Sequence, residues 1–175
     1  MPFDGRVAPR IQIFTSYHEV RLMPVDAELE SPDDWFTTDR LIAVVEGPSV
    51  VIRTRIHTGF IWAAVHSRAT APEPLEEHLR AGGWEVAEEE DILITSPLQL
   101  CEMGGMSGIR DAVVPELPGL HRVRVLAKGH VLNDPFEQVD FEEEFEVVVW
   151  PTDTPTPRAR AIDPATPWRQ RLPRP

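Results

Sequence analysis

Cysteine is almost missing from this chain of 175 residues, where Cys101 stands alone. A single cysteine excludes an intramolecular disulfide and removes the basis for a Cys-based zinc site, so the fold has to rest on its core. The expected place for Cys101 is a buried thiol, the habit of free cysteine. Long apolar runs are missing too. Phe60 to Val65 and similar stretches fall far short of the roughly 20 residues of a membrane-spanning helix. Asp4, Arg6, Arg10, His18 and Arg21 break the first thirty residues where a signal peptide would be continuously apolar. A soluble chain with a cytoplasmic address and no membrane partner is the expectation.

Catalytic signatures are equally scarce. No G-x-S-x-G elbow occurs, and Gly104-Gly105-Met106-Ser107-Gly108 lacks the Lys-Ser/Thr ending of a phosphate-binding loop, so it reads as a flexible connection. His18, His57, His66, His78, His121 and His130 form no H-E-x-x-H or H-x-x-E-H pattern, although neighbouring strands can bring together a pair such as His57 and His66. Carboxylates abound, but runs of solvated neighbours do not push two pKa values apart as acid–base catalysis requires. No metal, no cofactor and no catalytic residue is therefore expected, and the balance favours a binding protein over an enzyme. Nor does any internal repeat of fixed period appear.

Acid, proline and alternating apolar residues are what the chain does have. The formal net charge is -12, and from Arg158 onward five arginines stand against Asp163 alone, a balance of +4 that leaves -16 on residues 1–157. Such a body repels nucleic acid directly and suits a basic protein. Seven prolines from Pro151 onward read as a disordered Pro/Arg-rich tail over 151–175, following a single β domain over 1–150. The tail arginines are suited to dock on an acidic surface, this chain's own body included.

Within the body, Ile11 to Phe14 and His18 to Met23 read as strands ended by Pro24, and Trp35 and Phe36 as the anchor of a polar loop. Leu41 to Val45, Val50 to Ile56 and Phe60 to Val65 read as a three-strand meander with Val50, Ile52, Thr54 and Ile56 inward. Acids early, arginine late and glycine after it predict a short helix over 75–81. Trp84 to Ala87 and Ile92 to Thr95 read as a hairpin with Glu88 to Asp91 as its acidic tip, Leu98 to Cys101 as a short strand, and Leu120 to Leu126 and Phe141 to Trp150 as the last pair. The pattern predicts a mainly β chain built as an antiparallel β-sandwich, with a small β-barrel as the alternative.

Two surfaces stand out as candidate sites. Glu88, Glu89, Glu90 and Asp91 with Asp140, Glu142, Glu143 and Glu144 space carboxylates as a nucleic-acid backbone spaces phosphates, a pattern that occupies a basic cleft; the same charges also protect an edge strand from aggregation. Arg53, Arg55, His57, Trp62 and His66 line the second face of the predicted meander and form an alternative small-ligand or enzymatic site. A structural assembly subunit pairing through an edge strand is a third reading.

Ser16-Tyr17-His18 beside the opening strand, and Leu117-Pro118-Gly119-Leu120-His121-Arg122-Val123 late in the chain, resemble the ComJ family of bacterial competence proteins, with a similar order of elements over about residues 11–150. The resemblance implies a small β protein that inhibits a nuclease stoichiometrically by occupying it. The longer 67–91 segment and the proline-arginine tail depart from the family pattern.

Overall fold

Alternating apolar residues build eleven strands among the described residues of the computed structural model, which are 8–25, 27–28, 32–35, 38, 40–45, 48–102, 108–129 and 143–165. In chain order they are β1 (Ile11–Ser16), β2 (Glu19–Pro24), β3 (Ile42–Val45), β4 (Ser49–Arg53), β5 (Thr58–Ser67), β6 (Val86–Ile94), β7 (Leu98–Glu102), β8 (Gly108–Val113), β9 (Gly119–Lys128), β10 (Glu144–Pro151) and β11 (Ala159–Ile162), with the helix α1 (Leu75–Ala81) between β5 and β6. All eleven join one mixed sheet in the order β11-β6-β9-β10-β5-β1-β2-β4-β3, with β7 on β2 and β8 on β7. The sheet curls into a half-barrel. The expected sandwich of two antiparallel sheets is thus corrected to one curled sheet, in which β5 and β10 run parallel.

The meander is corrected as well. β3 and β4 form the expected antiparallel pair, but β5 lies between β1 and β10, separated from β4 by β1 and β2. Its inner residues Ile61 and Ala63 meet Ile13, Val125, Phe145 and Val147 in the main core. Local alternation shows that a segment is a strand but does not choose its neighbour.

Glu88 to Asp91 do not make a hairpin tip. They lie in the middle of β6, a continuous nine-residue strand paired to β9 along its whole length. The charges are tolerated because each face supplies partners. On the outer face, Arg122 Nε donates to Glu89 at 2.8 Å, Arg124 Nε donates to Glu89 at 2.6 Å, and Arg122 Nη1 donates to Asp91 at 2.7 Å. On the inner face Glu88, 0% exposed, accepts the backbone N–H groups of Leu41 and Ile42, each at 3.0 Å. That carboxylate therefore ties β6 to the start of β3 where the curled sheet comes back on itself.

The C-terminal segment is corrected over residues 151–165. β11 pairs antiparallel with β6, and Arg158 and Arg160 reach Glu88 at 2.8 and 3.2 Å, so the arginines dock on the body of their own chain. Residues 166–175 lie outside the described residues. Helix α1 takes its expected bounds and packs Leu79 with Trp84, Ala87, Leu126, Val148, Trp150 and Ala161 in a second cluster on the outer face. Trp35 is buried under the Arg53 guanidinium, which sits 4.5 Å from its ring and donates to its carbonyl. Cys101 is buried as expected, and burial pushes its thiol up to about 11. β8 was not expected. Gly108 opens it so close to Leu100 that a Cβ would lie 2.0 Å from the Leu100 carbonyl oxygen.

Candidate protein-binding face

Tyr17 and His18 form the two-residue turn between β1 and β2, with φ of 54° and 63°. Tight hairpins favour this left-handed backbone, usually with Asn-Gly, because it matches strand twist. A Cβ-bearing residue gives up roughly 1–2 kcal/mol there, so the turn needs support from outside itself. The linker between β4 and β5 supplies it. His18 N–H donates to His57 O at 3.3 Å, Thr54 N–H donates to His18 O at 2.8 Å, and His18 Nδ1 donates to Arg55 O at 3.1 Å. Beneath that linker Glu143, 0% exposed, accepts the N–H groups of Arg55 at 2.8 Å and Ile56 at 3.2 Å, while its carbonyl accepts Trp62 N–H at 2.9 Å.

Aromatic side chains stand on this platform. Tyr17 is 56% exposed, with its ring centroid 5.5 Å from that of His57, and His18 meets His57 edge-on at 4.8 Å. Burial, then the charge of His57, hold the His18 imidazole below its ordinary pKa. On the outer face of the sheet Phe14 opposes Phe60 with centroids 5.4 Å apart, and Phe60 is 59% exposed. Gln12 and Trp62 form the next pair along the same face, since residues two apart share a side of a strand. Glu144, opposite Trp62 on β10, is held by Arg10 at 3.0 Å and Lys128 at 3.8 Å. Exposed Tyr17 and Phe60 beside the half-buried Trp62 have the aromatic composition that dominates binding energy at protein interfaces.

A polar cluster continues along the outer face. Glu146 lies 3.3 Å from His66 Nε2 and 3.5 Å from His78 Nε2, and Glu73 lies 3.7 Å from His78 Nε2. Arg124 Nη1 sits 2.8 Å from His78 Nδ1. Arginine only donates, so His78 Nδ1 accepts and the ring proton is on Nε2, aimed at the carboxylates. Among the described residues no three His, Cys, Asp or Glu side chains are arranged to hold a metal ion. Burial, only partly offset by Glu146, holds His66 below its ordinary pKa. Burial pushes Glu146 the other way but is outweighed by the hydrogen bond from His78 and the attraction of His78, His66 and Arg68, leaving its carboxyl below the usual range.

The residues singled out from the sequence are dispersed by the fold. Glu88, Glu89 and Glu143 are buried and engaged inside the molecule, Glu90, Asp91 and Glu144 are half-buried, and Asp140 and Glu142 lie outside the described residues. Burial pushes the Glu90 carboxyl upward. Of the alternative set, Arg53 clamps Trp35, the Arg55 backbone rests on Glu143, His57 joins Tyr17, Trp62 lies on the outer face and His66 belongs to the Glu146 cluster. His57 and His66 do not meet. They belong to separate groups, with His18 and with Glu146. The juxtaposition of Phe14 and Phe60 depends on the long-range pairing of β1 with β5, and its one local signal in the sequence is an apolar residue on the outward parity of each strand.

No known protein family matches the sequence, and no curated protein matches it either. The fold is similar to the crystal structure of ComJ from Bacillus subtilis, inhibitor of the DNA degrading activity of NucA, with a TM-score of 0.51 over 84% of this chain and 98% of ComJ at 12% sequence identity. The chain therefore resembles ComJ in its fold.

Proposed function

We propose that this protein binds a nuclease and blocks its attack on DNA, using the aromatic face around Tyr17, His57, Phe60 and Trp62. The observation that carries the binding reading is the supported Tyr17–His18 turn, where two non-glycine residues are held in a left-handed backbone with the tyrosine exposed. Backbone strain maintained by surrounding structure is a pointer to function. The fold shared with ComJ supports a nuclease as the partner, and a net charge of -12 favours rapid encounter with a basic protein.

The buried acids Glu88, Glu89 and Glu143 have internal roles in this reading, and the contact energy is assigned to aromatic side chains. The test is a binding titration of Tyr17→Ala and Phe60→Ala against a nuclease of the host organism that the unaltered protein binds. Each substitution should weaken binding by roughly 2 kcal/mol with the folded content unchanged. Unchanged affinity in both variants would remove this face from the interface.

A further inference from the structure

We propose that the edge of β6 is a binding groove for an extended peptide with arginines two residues apart, and that the chain fills it in cis with its own residues 156–162. The inference does not depend on the nuclease reading.

Four kinds of contact recognise the segment. The β6 backbone pairs with Ala159 to Ile162 in antiparallel register, with Arg160 opposite Glu88 and Ala161 opposite Ala87. Glu88 takes both guanidinium groups, Arg158 at 2.8 Å and Arg160 at 3.2 Å. Ala161 packs with Trp84, Leu79 and Trp150. Ahead of the strand, Asp91 accepts Thr156 N–H at 2.6 Å, while Arg122 donates to the carbonyls of Thr156 and Pro157 at 3.0 and 2.8 Å.

The side-chain pattern is what an edge-binding strand needs. Alternate residues point to opposite faces, so Arg158 and Arg160 enter the carboxylate side while Ala159 and Ala161 face the outer side, where Ala161 packs against the tryptophans. The connection from β10 is exposed at Asp153, Thr154 and Pro155. β11 thus comes to β6 as an added strand at the sheet edge. A protein partner offering an extended segment of the same pattern enters by displacing it.

The experiment starts from the full chain with a protease site inserted after Asp153, cut after folding so that every residue remains present. A fluorescent peptide of residues 154–165 is then titrated onto cut and uncut protein, with circular dichroism recorded on both. The expected result is an unchanged fold, saturable uptake of the peptide by the cut protein only, and binding weaker by roughly 30-fold or more for the peptide with Arg158→Ala and Arg160→Ala. Glu88→Gln in the cut protein should abolish most of that preference. Unfolding on cleavage would make the segment an inseparable part of the core and overturn the proposal. So would a folded cut protein that takes up no peptide, or equal binding of the peptide without arginines.

Discussion

Glu143 and Glu88 show how a buried carboxylate substitutes for missing backbone partners. Each accepts two backbone N–H groups from a distant segment, Arg55 and Ile56 in one case and Leu41 and Ile42 in the other. Removing such an acceptor leaves buried donors unsatisfied, so Glu143→Ala should destabilise the fold by about 3 kcal/mol, measured by urea unfolding. It should also loosen the Tyr17 turn, whose supporting linker rests on that carboxylate. A change below about 0.5 kcal/mol, the range of ordinary surface substitutions, would remove Glu143 from this role. At Gly108 the constraint is steric. A Cβ would overlap the Leu100 carbonyl oxygen at 2.0 Å, so Gly108→Ala should force the β7–β8 pair apart and lower the unfolding midpoint, whereas Gly83→Ala, with open space around it, meets only its left-handed backbone.

At the scale of elements, the β1–β2 turn trades stability for an exposed tyrosine. Replacing Tyr17-His18 by Asn-Gly should raise stability by about 1 kcal/mol or more, because these residues suit the left-handed turn, while weakening the proposed nuclease complex. Equal stability would show that the Tyr-His turn carries no strain. Elements defined by local pattern were legible in the sequence. Helix α1 was readable from its charge order and following glycines, Trp35 from its polar loop, and the buried Cys101 from its residue type. Elements defined by distant partners were not. β6 runs through four consecutive acids because Arg122 and Arg124 flank it on one side and Arg158 and Arg160 on the other; without those partners the same four residues have the composition of a turn. The proline-rich segment hid β11 for a related reason, since its four pairing residues, Ala159 to Ile162, contain no proline themselves. The aromatic face is not legible locally, because Phe14 and Phe60 meet only when β1 pairs with β5.

For the whole molecule, the half-barrel is held by polar ties as well as by its core, and this makes it sensitive to acid. His18 and His66 both have folded-state pKa values below the ordinary 6.5. Above 6.5 they are neutral whether the chain is folded or not. As the pH falls below 6.5 the unfolded chain takes up protons first, so stability is lost progressively until the folded values are passed. Urea midpoints should therefore fall between pH 7.5 and 5.5, and the double variant His18→Gln, His66→Gln should show a flatter profile. A profile equally steep in the double variant would place the acid sensitivity elsewhere. Below pH 4.5 a second loss is expected as Glu146, whose folded-state pKa is depressed, becomes protonated.

The central claim is that this protein acts by occupying a nuclease. Its most direct test is the rate of DNA degradation by nucleases of the host organism as the protein is titrated in. The expected result is a rate that falls in proportion to added protein and reaches its floor near one equivalent, with Tyr17→Ala shifting the curve to higher concentration; an undiminished rate at large molar excess would contradict it.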